Sequence, residues 1–245
     1  MGMKLRSLLR RFLRDRFGLS VSPAKYCPTG TERKIYETYL GPDRVRTIFD
    51  VGANVGQTAE GFQRAFPVAD IYSFEPFQRN FEVLQEVSSR FPRIRGFQLA
   101  LSDASGPLTV FTDSVPHSQW NSLAPWRQKE LRNGSGVSQE AITRETGDQF
   151  CAAHGVERIS ILKVDTEGHD LEVLQGFKRM LSGGRVDSVL IEVGFAGDDG
   201  HGDFQQINTY LLMQAHMRLV GFYDISHLAS GKCDYANALF VTKKT

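Results

Sequence analysis

The chain has 245 residues, 41% of them hydrophobic and 23% charged, which is enough for one sizeable α/β core. Its 29 basic and 28 acidic side chains leave a net charge of +1, which excludes a global attraction to nucleic acid or to acidic substrates. Cys27, Cys151 and Cys233 are odd in number, far apart and without a C-x-x-C pair, so neither a disulfide framework nor a thiolate metal site is expected, and a reducing, cytoplasmic compartment fits.

In residues 1–30, Leu5, Leu8, Leu9, Phe12, Leu13 and Phe17 fall at helical spacing beside a face carrying Lys4, Arg6, Arg10, Arg11, Arg14 and Arg16. These charges interrupt every apolar run, which argues against both a signal peptide and a membrane span. Residues 3–17 read as a basic amphipathic helix with two open roles: packing on the body or on a protein partner, or lying peripherally on the anionic inner membrane surface. Ser20–Thr31, with two prolines and a glycine, reads as a connector, and 31–245 as the main domain.

A helix over Glu32–Leu40 stops at Gly41-Pro42. Strands are then expected at Thr47–Val51, Asp70–Phe74, Gly96–Ala100, Ser160–Val164, Ser188–Val193, Met217–Tyr223 and Ala238–Thr242. Helices are expected at Thr58–Phe66, Gln78–Ser89, Asp170–Met180 and Asp203–Gln214. This alternation predicts an α/β fold, a mostly parallel sheet with helices on both faces.

The first strand runs into Asp50-Val51-Gly52-Ala53-Asn54-Val55-Gly56-Gln57-Thr58, a small-residue turn opening a helix. Glycines let backbone approach a ligand, and the first helical amides are free to donate to it. Gly52-x-Asn54-x-Gly56 lacks the third glycine of a dinucleotide fingerprint, since Gln57 and Thr58 follow, which disfavours an NAD-dependent oxidoreductase. The second strand ends in Glu75-Pro76, where a carboxylate can accept from both hydroxyls of a ribose. Asp103, after Ser102, is suited to an adenine amino group, although an Asp ahead of Gly106-Pro107 is also ordinary turn chemistry.

Between Ala100 and Ser160 the rhythm breaks. A hairpin is expected at Pro107–Thr112 and a polar loop over Asp113–Ser138, with Trp120 and Trp126 either meeting substrate or packing the loop. Then Lys163-Val164-Asp165-Thr166-Glu167-Gly168-His169-Asp170 gathers charge at the end of an apolar strand. In extended backbone Asp165, Glu167 and His169 would share one side, fit for proton transfer or for a divalent cation, although nothing calls for a metal. His169 reads equally well as a satisfied structural histidine, Asp170 as a helix cap, and Lys163 as a salt-bridge partner. Glu192 ends the neighbouring strand and would meet Asp165 in one pocket.

Taken together, Phe49-Asp50-Val51-Gly52-Ala53-Asn54-Val55-Gly56, Ser73-Phe74-Glu75-Pro76, Leu99-Ala100-Leu101-Ser102-Asp103, Asn121-Ser122-Leu123, Leu162-Lys163-Val164-Asp165-Thr166-Glu167-Gly168 and Val173-Leu174-Gln175-Gly176 resemble the FkbM family of S-adenosyl-L-methionine (SAM)-dependent methyltransferases over residues 45–195. The resemblance implies a class I, Rossmann-like methyltransferase fold: seven mostly parallel strands, the last antiparallel, with SAM across the ends of the first three. It implies O-methylation of a hydroxyl on a small-molecule, sugar, glycan, polyketide or other natural-product acceptor. The residues expected to hold SAM are Asp50, Gly52, Ala53, Asn54, Gly56, Gln57, Thr58, Glu75, Pro76, Ser102, Asp103 and Asp165. Those expected to carry the chemistry are Asp165, His169 and Glu192. A catalytically silent SAM-binding protein would share the cofactor motifs.

Overall fold

A computed structural model of the chain describes residues 33–41, 43–113, 121–134, 136–195 and 201–242. The amphipathic segment at 3–17, its connector and Trp120 lie outside the described residues. No helix among the described residues is long and apolar enough to cross a membrane.

The elements are α1 (Arg33–Leu40), β1 (Thr47–Val51), α2 (Gln57–Ala65), β2 (Asp70–Phe74), α3 (Gln78–Arg90), β3 (Ile94–Phe97), β4 (Ala100–Ser102), β5 (Gly106–Asp113), α4 (Pro125–Arg132), β6 (Val137–Thr146), α5 (Gly147–Ala153), β7 (Ile159–Val164), α6 (Asp170–Gly176), α7 (Lys178–Ser182), β8 (Val186–Gly194), α8 (Phe204–Ala215), β9 (Met217–Tyr223) and β10 (Tyr235–Thr242). Seven of the strands form one sheet in the order β3-β2-β1-β7-β8-β10-β9. The first five run parallel, whereas β10 is antiparallel to both β8 and β9.

Side chains alternate across each strand, so neighbours in sequence feed opposite cores. Phe49, Leu162 and Phe240 pack with Phe150, Phe177 and Leu211 on one face, and Ile48, Ile161 and Leu239 pack with Tyr36, Phe62 and Phe66 on the other. That double burial is why the strands read as unbroken apolar runs. It also leaves the carboxyl edge of the parallel strands as the place where polar groups meet solvent.

Four expectations need correction. The strand expected at Gly96–Ala100 is two strands, because Leu99 N–H turns back onto Phe97 O and the chain leaves the sheet; β4 joins a second sheet, ordered β4-β6-β5. The local hairpin at Pro107–Thr112 is instead β5 paired over its whole length with distant β6, and part of the expected loop is α4. In Val137–Thr146 the residue buried below the surface is Ile142, so its polar pattern hid a strand. Finally, the helix expected over Asp170–Met180 breaks into α6 and α7 just after Gly176, where a Cβ would stand 2.1 Å from Ser102 O.

Candidate functional site

A cavity of about 410 Å³ opens at the carboxyl edge of β1, β2, β7 and β8, within the range of small-molecule sites. Its first end is made by the β1–α2 turn. Gly52 has φ 76°, and a Cβ there would lie 1.8 Å from Asp165 O, so the turn fits against the end of β7 only as glycine. Gly52 and Ala53 N–H donate to Phe74 O at 3.1 and 3.0 Å, fixing the turn to β2. Asn54 has φ 48°, and its N–H donates to Glu75 Oε2 at 3.0 Å. Its own Oδ1 is buried and has no protein partner. Gln57 and Thr58, in the first turn of α2, complete this wall with donors a helix cannot use internally.

Glu75 is 4% exposed, and its other oxygen accepts from Phe77 N–H at 3.0 Å. Burial pushes its carboxyl up to about 7, against the pull of the two N–H groups. Each oxygen therefore holds one backbone donor and keeps a lone pair. A nucleoside ribose offers two hydroxyls to such a group, and Asn54 Oδ1 is an acceptor still without a donor. These observations fit SAM: Glu75 would take the ribose, Asn54 and the α2 amides the amino-acid end, and Phe77 and Leu99–Leu101 the base.

Four expected cofactor residues do not line the cavity. Asp50 is fully buried beneath the turn, 3.2 Å from Lys163 Nζ. Gly56 faces α3, where a Cβ would meet Leu84 and Val87. Ser102 is buried and Asp103 exposed outside the cavity, because the crossing into β4 presents Leu99, Ala100 and Leu101 instead. Gly52, Ala53, Asn54, Gln57, Thr58, Glu75, Pro76 and Asp165 do line it.

The second end is charged. Lys163 reaches Asp50 Oδ1 at 3.2 Å, Asp165 Oδ2 at 3.4 Å and Gly52 O at 3.1 Å. Burial pulls its ammonium down, but the two carboxylates hold it above the usual lysine range. Beyond Asp165 the backbone is not extended: Glu167 has φ 55° and Gly168 φ 92°. Asp165, Glu167 and His169 nevertheless all line the one cavity. Asp170 closes this turn, accepting from Thr166 N–H at 2.9 Å and Gly168 N–H at 3.1 Å, so it caps the turn ahead of its helix. Burial pushes Asp170 up to about 6. Ser122 Oγ lies 3.0 Å from Thr166 O and 2.7 Å from Glu167 O, pinning the segment after β5 to the same turn.

His169 is on the wall but turned into the protein: Nε2 lies 3.0 Å from Ser102 Oγ and Nδ1 3.8 Å from Glu172. Burial lowers its pKa. That geometry suits a strut between β4 and α6 better than a base. Glu192 Oε2 lies 2.9 Å from His201 Nδ1, and the His201 ring packs 4.4 Å from Tyr235. Burial first, then Asp165 and Glu192, push Glu167 up to about 8.

Sequence reasoning gave no role to Phe77, Asn80, Ser122 or Tyr235, all on the wall, nor to His201 beside it. Tyr235 had a usable signal. Because β10 is antiparallel, its amino end, where Tyr235 faces Gly194, sits at the edge where the parallel strands finish. Trp126 lies half-buried on α4 and off the cavity.

A family model described as "Methyltransferase FkbM domain" matches residues 50–222. The chain belongs to this family. Among curated relatives, methyltransferase sdnD of Sordaria araneosa is 31% identical over 156 residues, covering 53% of this chain and 59% of that protein. The 2-O-methyltransferase NoeI of Sinorhizobium fredii is 28% identical over 160 residues, covering 61% and 64%. The hexuronic acid methyltransferase AglP of Haloferax volcanii is 29% identical over 147 residues, covering 60% and 55%. The chain thus spans 55–64% of the length of these relatives. The crystal structure of an FkbM methyltransferase from Methylobacillus flagellatus KT superposes with a TM-score of 0.51 at 15% identity, covering 84% of this chain and 47% of that one. The fold is that of the class I methyltransferases, and membership of this family supports SAM as the cofactor.

Proposed function

We propose that this FkbM-family chain is an O-methyltransferase that moves the methyl group of SAM to a hydroxyl of a small-molecule acceptor, of the sugar, glycan or polyketide kind. The observation that carries this reading is one cavity with two unlike ends: a backbone-built cradle around Glu75 and a carboxylate-rich wall around Asp165, Glu167 and Glu192. Relatives described as 2-O- and hexuronic acid methyltransferases support a sugar-like acceptor.

SAM supplies an electrophilic methyl on a sulfonium. The protein's share is alignment of the acceptor oxygen and uptake of its proton. As the new oxygen–methyl bond forms and the methyl–sulfur bond breaks, the hydroxyl proton passes to Asp165, whose side chain is 36% exposed and held 3.4 Å from Lys163 Nζ. Gly52 lets the cradle and Asp165 meet without an intervening side chain. Incubating the full chain with SAM and a panel of sugars, uronic acids and polyketide alcohols, then reading methylated product and S-adenosylhomocysteine by mass spectrometry, tests the reaction. Asp165→Asn should lose turnover at unchanged SAM affinity; full turnover would remove Asp165 from the chemistry.

We also read residues 31–245 as one methyltransferase domain in the cytoplasm, with 3–17 as a peripheral contact to an anionic membrane or a protein. The basic face of that segment supports this, and reversing Arg10, Arg11 and Arg14 to Glu should abolish sedimentation with anionic vesicles if the contact is a membrane one.

A further inference from the structure

Glu167 follows β7, Glu192 is near the end of β8, and His201 precedes α8, so three distant stretches of chain converge beside the cavity. Each offers one ligand atom, two carboxylate oxygens and one imidazole nitrogen, and these atoms all lie within 4.8 Å of one another. A divalent ion about 2.0–2.2 Å from each donor sits among groups with such separations after small side-chain rotations. The partner of Glu192 is an imidazole, His201, rather than a Lys or Arg. Lys163 is committed to Asp50, Asp165 and Gly52 O, and among the described residues no Lys or Arg forms an ion pair with Glu167 or Glu192. Two other wall residues hold these positions: Ser122 fixes the Glu167 carbonyl, and Tyr235 packs on the His201 ring.

We propose that Glu167, Glu192 and His201 form a divalent-cation site, of the mixed oxygen and nitrogen type that suits Mn²⁺, at the acceptor end of the cavity. Three protein donors leave coordination positions open toward the cavity. This placement, resting on the methyl-transfer reading, selects an acceptor with two adjacent oxygens, a vicinal diol or a hydroxyl beside a carboxylate. A cation there lowers the pKa of a hydroxyl it touches, easing transfer of the proton to Asp165.

Titration of the full chain with Mn²⁺ alone, followed by the electron paramagnetic resonance signal of the free ion, tests the site. The expected result is one bound ion per chain, with binding weakened at least about tenfold in both Glu192→Gln and His201→Asn. Both variants should keep SAM affinity, which reports that they fold, while Glu75→Gln should lose SAM affinity and keep Mn²⁺. Wild-type protein that retains no Mn²⁺, or folded Glu192→Gln and His201→Asn variants that bind it like wild type, would overturn the proposal. The two readings fail separately. Mn²⁺ held at this site without turnover of any acceptor would sink the methyl-transfer reading alone, whereas turnover indifferent to chelator, with no Mn²⁺ bound, would sink the site alone.

Discussion

The two ends of the cavity are built in opposite ways. At the end proposed for the cofactor, Gly52, Ala53, Asn54 and Glu75 come from two successive β–α turns, whose backbone N–H groups donate to Phe74 O and to the two Glu75 carboxylate oxygens. At the end proposed for the acceptor, Ser122, Glu167, Glu192, His201 and Tyr235 come from five separate stretches, joined by the Ser122 hydroxyl on the Glu167 carbonyl, the Glu192–His201 contact and the His201–Tyr235 ring contact. The first arrangement ties the wall to the backbone at the sheet edge. The second can change by one side chain at a time without disturbing the sheet, which is where a family would vary its acceptors.

The seam between the ends gives the largest expected effect. Lys163→Met leaves Asp50 buried and unpaired, and should cost about 3–5 kcal/mol in chemical denaturation. Adding Asp50→Asn should restore much of it; no recovery would mean that the pair does not hold the seam. Gly52→Ala drives a Cβ to 1.8 Å from Asp165 O at a φ of 76°. A loss of about 2–3 kcal/mol is expected, together with impaired SAM binding, because both ends share this contact. Ser122→Ala acts on the acceptor end alone. It should cost about 1–2 kcal/mol and slow methyl transfer, with SAM affinity unchanged by calorimetry. A fall in SAM affinity there would erase the distinction between the ends.

The same contrast explains what could be read beforehand. The turn from Val51 to Thr58 and the strand-end Glu75 were legible because their chemistry lies within a few residues of one another. Asp50 was misread since an acid next to the glycines looks like a ligand contact, and its burial against Lys163 depends on β7 lying beside β1. Asp103 was lost to the unexpected crossing at Leu99, whereas His169 does reach the wall but is engaged by Ser102 and Glu172 from β4 and α6. His201 and Tyr235 carry no local motif; tertiary convergence alone brings them to Glu192.

The cofactor role proposed for Glu75 requires its carboxylate form. Its carboxyl is raised to about 7 in the free protein. Hydroxyls donate to the charged form, so affinity for SAM should be full above that pH and fall by up to about tenfold per unit below it, as the group protonates. Calorimetric titration of SAM across this range should show that dependence in wild type, and in Glu75→Gln a weaker, flat profile. A Glu75→Gln variant that binds SAM as tightly as wild type at alkaline pH would contradict the assignment.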